Sequence, residues 1–82
     1  MEIHYIFADG CLDCLRMETA LLQYIKGSTH TLVRLNAEDD KAIDYAVDND
    51  IDDIPACKIG DVVIQGKNFL STDIKKAIEQ LT

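Results

Sequence analysis

Apolar and polar residues alternate along this chain in blocks whose period changes several times. Ile3 to Ala8 is almost continuously apolar, broken only by His4. That pattern predicts a strand covered on both faces, hence one central in a sheet. Asp9-Gly10 interrupts it, and from Cys11 to Lys26 the period becomes helical, with Cys14, Met17, Leu21 and Ile25 at three- and four-residue steps before Gly27-Ser28 stops the run. Thr31 to Leu35 predicts a second strand. A second helix is expected from about Asp39 to Asn49, with Ile43, Ala46 and Val47 on its apolar face and acids at its positive end. Ala56–Ile59 and Val62–Gln65, separated by Gly60-Asp61, read as a hairpin. A last helix, capped by Ser71 or Thr72, carries the stripe Ile74, Ala77, Ile78 and Leu81.

The predicted order is β-α-β-α-β-β-α, an α/β domain with parallel strands across the first crossover and helices on both faces of a mixed sheet. The chain has 82 residues, which suits one domain spanning 1–82 that buries roughly 60–65% of the surface of its unfolded chain. The hydrophobic share of 48% excludes a disordered tail. A net charge of −7, from 8 basic and 15 acidic side chains, argues against nucleic acid or an anionic membrane as partner, since no basic stripe is available. Eight of those acids fall between Glu38 and Asp53, so the charge gathers on one region. If that region faces a partner, it favours basic or neutral ones. No run approaches the roughly 18 apolar residues of a membrane span, and the N-terminus lacks a signal-peptide pattern. A reducing cytoplasm is the expected location.

Three cysteines are too few for a disulfide scaffold, and two of them stand at C-x-x-C spacing, Cys11-Leu12-Asp13-Cys14. The pair falls between a buried strand and the first turn of a helix, where unpaired backbone N–H groups and the helix dipole stabilise an anion. A thiolate at Cys11 would gain that stabilisation and act as a nucleophile near neutral pH. Cys14, one turn on, can attack the resulting mixed disulfide, and the two are close enough to bridge. Asp13 opposes thiolate formation, and Arg16 offsets it. The alternative chemistry is a metal site. Zinc needs about two further ligands, for which only Cys57, His4 and His30 are available, without a second close pair. Cys57, two residues after Pro55, reads as a small core residue, with a regulatory thiol as the sharper alternative. The acids of Asp48-Asn49-Asp50-Ile51-Asp52-Asp53 resemble the start of a calcium loop, but Asp53 holds the position that wants Gly and Ile59 the one that wants Glu.

A strand leading into C-x-x-C at a helix start, the β-α-β-α-β-β-α order, and Ile54-Pro55 before the third strand together resemble the thioredoxin and glutaredoxin superfamily. The likeness spans the whole chain and is nearest to small, glutaredoxin-sized thioredoxin-like proteins. It implies a thioredoxin-like fold, a four-stranded mixed sheet with three helices on its two faces. It also implies thiol–disulfide exchange at Cys11 and Cys14, a cis Pro55 facing the disulfide, and Ile54 supplying backbone contacts to substrate. Under that resemblance no cofactor is needed. The partners are a disulfide-containing protein or small molecule and an external reductant, and the protein acts as a monomer. Tyr5 stands where thioredoxins place an aspartate, and Arg34 where they have a lysine, which would leave Arg34 without that partner. The Gln65-Gly66-Lys67 stretch gives little support for a glutathione site. A non-catalytic redox-sensing or interaction module on the same fold is the alternative reading.

Overall fold

The computed structural model describes residues 1–81, and its elements follow the predicted order: β1 (Glu2–Phe7), α1 (Leu12–Ile25), β2 (Thr31–Asn36), α2 (Asp40–Asp48), β3 (Ala56–Ile59), β4 (Val62–Gln65) and α3 (Ser71–Glu79). The four strands form one mixed sheet in the order β2-β1-β3-β4. β1 runs parallel to β2, from Glu2 opposite Thr31 to Phe7 opposite Asn36. It is antiparallel to β3, from His4 opposite Lys58 to Ile6 opposite Ala56. β3 and β4 form the hairpin, closed by Gly60 and Asp61.

The alternation of side chains across the strands splits the core in two. Ile3, Tyr5, Cys57 and Ile59 point to one face, where they pack with Met17 and Leu21 of α1 and Ile74, Ala77 and Ile78 of α3. Ile6 and Ala56 point to the other, against Ala42 of α2 and Ile51. β1 is thus buried on both sides, as its apolar run predicts. His4, the interruption in that run, lies on the α2 face and is covered by Tyr45, whose ring stacks on it at 4.6 Å.

Local chemistry sets the element boundaries. Cys11 is the N-cap of α1 rather than its first residue. At α3 the expected hydroxyl cap is absent: Ser71 is already helical, Leu70 occupies the cap position, and no side chain caps the first turn. Leu81 falls beyond the helix yet still packs on the core. The acid-rich stretch after α2 is a helix stop. Ile51 N–H donates to Ala46 O at 2.8 Å and Asp50 N–H to Val47 O at 3.4 Å, while Asp50 takes φ +56. These are the paired bonds of a Schellman motif, with Asp50 in the left-handed position that glycine usually fills. A side chain there costs energy that glycine avoids. Asp50→Gly is therefore expected to stabilise the fold by about 1 kcal/mol in urea unfolding, the gain from relieving the left-handed residue exceeding the added entropy of the unfolded chain.

Candidate functional site

The C-terminal end of β1 organises the site. Gly10, at φ +75, turns the chain through the left-handed region that residues with a Cβ avoid, and delivers Cys11 to the start of α1. The backbone N–H of Cys14 donates to the sulfur of Cys11 at 3.0 Å, and Leu15 N–H donates to the Cys11 carbonyl at 3.2 Å. Cys11 and Cys14 are joined as a disulfide, their Cα atoms 5.2 Å apart. Cys11 is partly exposed, whereas Cys14 is buried. Only the first sulfur of the pair is therefore open to a reactant from solution.

Pro55 comes to the same sheet end. The β1–β3 register places Ala56 opposite Ile6, so Pro55 continues alongside Phe7, the last residue of β1. The Ile54–Pro55 peptide bond is cis. The loop is held by side chains: Gln65 Oε1 accepts from the N–H groups of Asp52 at 2.7 Å and Asp53 at 3.1 Å, and Gly66 N–H donates to Pro55 O at 2.8 Å. Asp53 Oδ1 accepts from Ile54 N–H at 2.9 Å. Gly66 leaves room for this carboxylate, since a Cβ there would lie 3.2 Å from Asp53 Oδ2.

A cavity of about 340 Å³ opens behind the disulfide, lined by Tyr5, Phe7, Cys11, Cys14, Glu18 and Arg34 among others. The Tyr5 hydroxyl donates to the Cys14 carbonyl, tying the central strand to the cysteine turn. Burial pushes the Tyr5 phenol up to about 12, with the nearby Glu18 carboxylate adding to the rise and Arg34 opposing it. Arg34, expected to lack a partner, pairs with Glu18 at 3.0 Å and lies over the Phe7 ring. Glu18 is not singled out by the sequence, because it lies on α1 and its partner Arg34 on β2. The signal available was its place one helical turn after Cys14.

Arg16 pairs with Asp13 at 3.6 Å and makes further contacts. It donates to Lys67 O at 2.6 Å and lies 4.1 Å from the centre of the Phe69 ring, fastening α1 to the segment before α3. The zinc candidates do not assemble. His4 stacks on Tyr45, and His30 precedes β2 at the sheet end opposite Cys11. Among the described residues no group of three or more His, Cys, Asp or Glu side chains could hold a metal ion. Cys57 is a free, buried thiol opposite Tyr5 in the ladder, and burial pushes it up to about 12. Its surroundings suit a core residue.

No protein-family model and no curated relative matches the sequence. Solved structures do match. Thioredoxin 1 from Thermosipho africanus superposes with a TM-score of 0.72 at 19% identity, covering 99% of this chain and 93% of that one. An uncharacterised thioredoxin-like protein from Clostridium perfringens gives 0.69 at 22% identity, over 98% of this chain and 69% of that one. A malarial protein gives 0.64 at 20% identity, over 96% and 93%. The chain has a thioredoxin-like fold, and it carries a bonded cysteine pair at the start of its first helix. Among the described residues no helix is long and apolar enough to cross a membrane.

Two outcomes follow from this geometry. Tyr5→Phe removes the hydroxyl bond to Cys14 and should cost about 1 kcal/mol of stability in urea unfolding. Cys57 has an ordinary value of 9.0 and a folded value of about 12, so the unfolded chain loses its proton first as pH rises. Its stabilisation is complete below pH 9 and is lost progressively towards pH 12. Tyr5 acts in the same direction from 10.0 to about 12. Unfolding curves across that range should show stability falling with pH, and Cys57→Ala should make the fall shallower.

Proposed function

We propose that the protein is a small thiol–disulfide oxidoreductase. The observation that carries this reading is the placement of Cys11, a partly exposed sulfur at a helix N-cap, hydrogen-bonded by the Cys14 N–H and bonded to a buried partner one turn on. Backbone N–H groups at that position stabilise a thiolate when the pair is reduced. The Cys11 thiolate attacks one sulfur of a substrate disulfide, forming a mixed disulfide and releasing the other sulfur as a thiolate that takes up a proton. Cys14 then loses its proton to solvent and attacks the Cys11 sulfur. The Cys11–Cys14 bond forms, the second substrate thiol leaves, and two electrons have passed to the substrate. An external reductant, either a reductase or a low-molecular-weight thiol, returns the pair to the dithiol.

Pro55 and Ile54 are assigned the docking role, with Pro55, itself buried, setting the path of the loop at this sheet end and Ile54 offering its backbone to an extended substrate segment. The Ile54 N–H already donates to Asp53. A substrate backbone must displace that carboxylate or use the Ile54 carbonyl. The reading places the protein in the cytoplasm, acting as a monomer without a bound cofactor.

Insulin reduction monitored by turbidity, with dithiothreitol as reductant, provides the test. Cys11→Ser is expected to reduce the rate to that of dithiothreitol alone. Cys14→Ser should accumulate a mixed disulfide visible as a mass increase that reductant reverses. Reversible loss of two hydrogens by mass without turnover on any disulfide would instead indicate a redox-sensing module on this fold.

A further inference from the structure

The proposed exchange chemistry leaves unused a second concavity, on the sheet face opposite α1 and α3. Between α2 and the segment leading to Pro55 runs a groove of about 290 Å³ whose floor includes Ile6 and Ala42 and whose walls include Ile43, Val47 and Ile54. Ile43 is 50% exposed and Val47 72%, so two aliphatic side chains are open to solvent beside the groove on a nine-residue helix that is otherwise rich in charge. Asp40, Ile43 and Val47 stand three and four positions apart and therefore share one stripe of α2. Asp52 and Asp53 line the groove itself, and no Lys or Arg does. Within residues 38–53 there are eight carboxylates and a single cation, Lys41.

We propose that this groove selects the substrate of the oxidoreductase: it takes an extended basic segment of a protein disulfide, with one large aliphatic side chain between Ile43, Val47 and Ile54 and flanking Lys or Arg residues facing Asp52 and Asp53. The inference rests on the oxidoreductase reading, because Ile54 both walls the groove and precedes Pro55. A chain that pairs with the Ile54 backbone therefore lies against the wall of the groove. The acidic rim decides the occupant. A second copy of this chain would bring like charges together, and a phosphate backbone would be repelled, whereas a cationic segment is attracted and steered. A cation that engages Asp53 also competes for the carboxylate now held by the Ile54 N–H, which frees that donor for the substrate backbone.

The probe is a disulfide-free peptide in which Ser replaces the reactive Cys and a Leu is flanked by two Arg, compared with a twin carrying two Glu. Methyl and amide NMR shifts of the protein should move at Ile43, Val47 and Ile54 with the Arg peptide. Its binding should be at least roughly tenfold tighter than that of the Glu twin at an ionic strength of about 0.05 M, and the difference should shrink at about 0.5 M. Val47→Lys and Asp52→Lys should each weaken the Arg peptide. Both sites are exposed, so the fold is not at risk. Equal binding of the twins, shifts confined to other faces, or no binding overturns the proposal. Turnover of hydroxyethyl disulfide, small and neutral, is read separately on the unaltered protein. Turnover without discrimination between the peptides rejects the groove and spares the oxidoreductase reading. Failure to turn over any disulfide rejects that reading and, with it, the groove's role in substrate choice.

Discussion

β1 is hydrogen-bonded on both sides, parallel to β2 and antiparallel to β3, and its side chains alternate between two cores. Every other feature of the molecule is referred to that double burial. Because Ile3 and Tyr5 face α1 and α3 while Ile6 faces α2, a shift of one residue in the register would exchange the two sets and leave polar His4 among the larger core's aliphatics. With the register held, the last residue of β1 has fixed neighbours. The turn that follows delivers Cys11 to a helix start, and the antiparallel neighbour brings Pro55 to the same end.

The cysteine turn then inherits its properties from its place in the sheet. A helix N-terminus leaves backbone N–H groups unpaired, and here the Cys11 sulfur occupies the position where one of them can be satisfied. Tyr5 reaches from the central strand to the carbonyl of Cys14, and Arg16 ties the outer side of the same turn to Lys67 and Phe69. The turn is therefore held from the core and from the surface at once. The Pro55 loop is held comparably, by Gln65 reaching back from β4 and by Asp53 folding onto its own neighbour. Such bracing keeps the two short loops in a constant relation to each other.

The extent to which this was legible differs from element to element. The β1 run, the α1 stripe of Cys14, Met17, Leu21 and Ile25, and the Gly60-Asp61 hairpin follow from periodicity and turn chemistry, which are local. Caps and stops were less legible. Ser71 looks like a cap in isolation, yet the helix begins with it, because packing of Ile74, Ala77 and Ile78 sets where α3 must lie. Asp50 carries no glycine signature and still adopts a left-handed conformation, because Ile51 must return to the core. Tyr5 stands where Arg34 would find a carboxylate on the neighbouring strand, and α1 supplies Glu18 instead.

By itself, the sequence determined the element order, the two-sided burial of the first strand, the cysteine spacing at a helix start and the concentration of acids after residue 37, since each depends on neighbours a few positions apart. The tertiary structure alone decided that His4 is shielded by Tyr45, that Glu18 and Arg34 meet beside the disulfide, and that the acids border an apolar groove. These are contacts between residues separated by many positions along the chain. They exist only when the strands have chosen partners, and that choice is a property of the whole packed core.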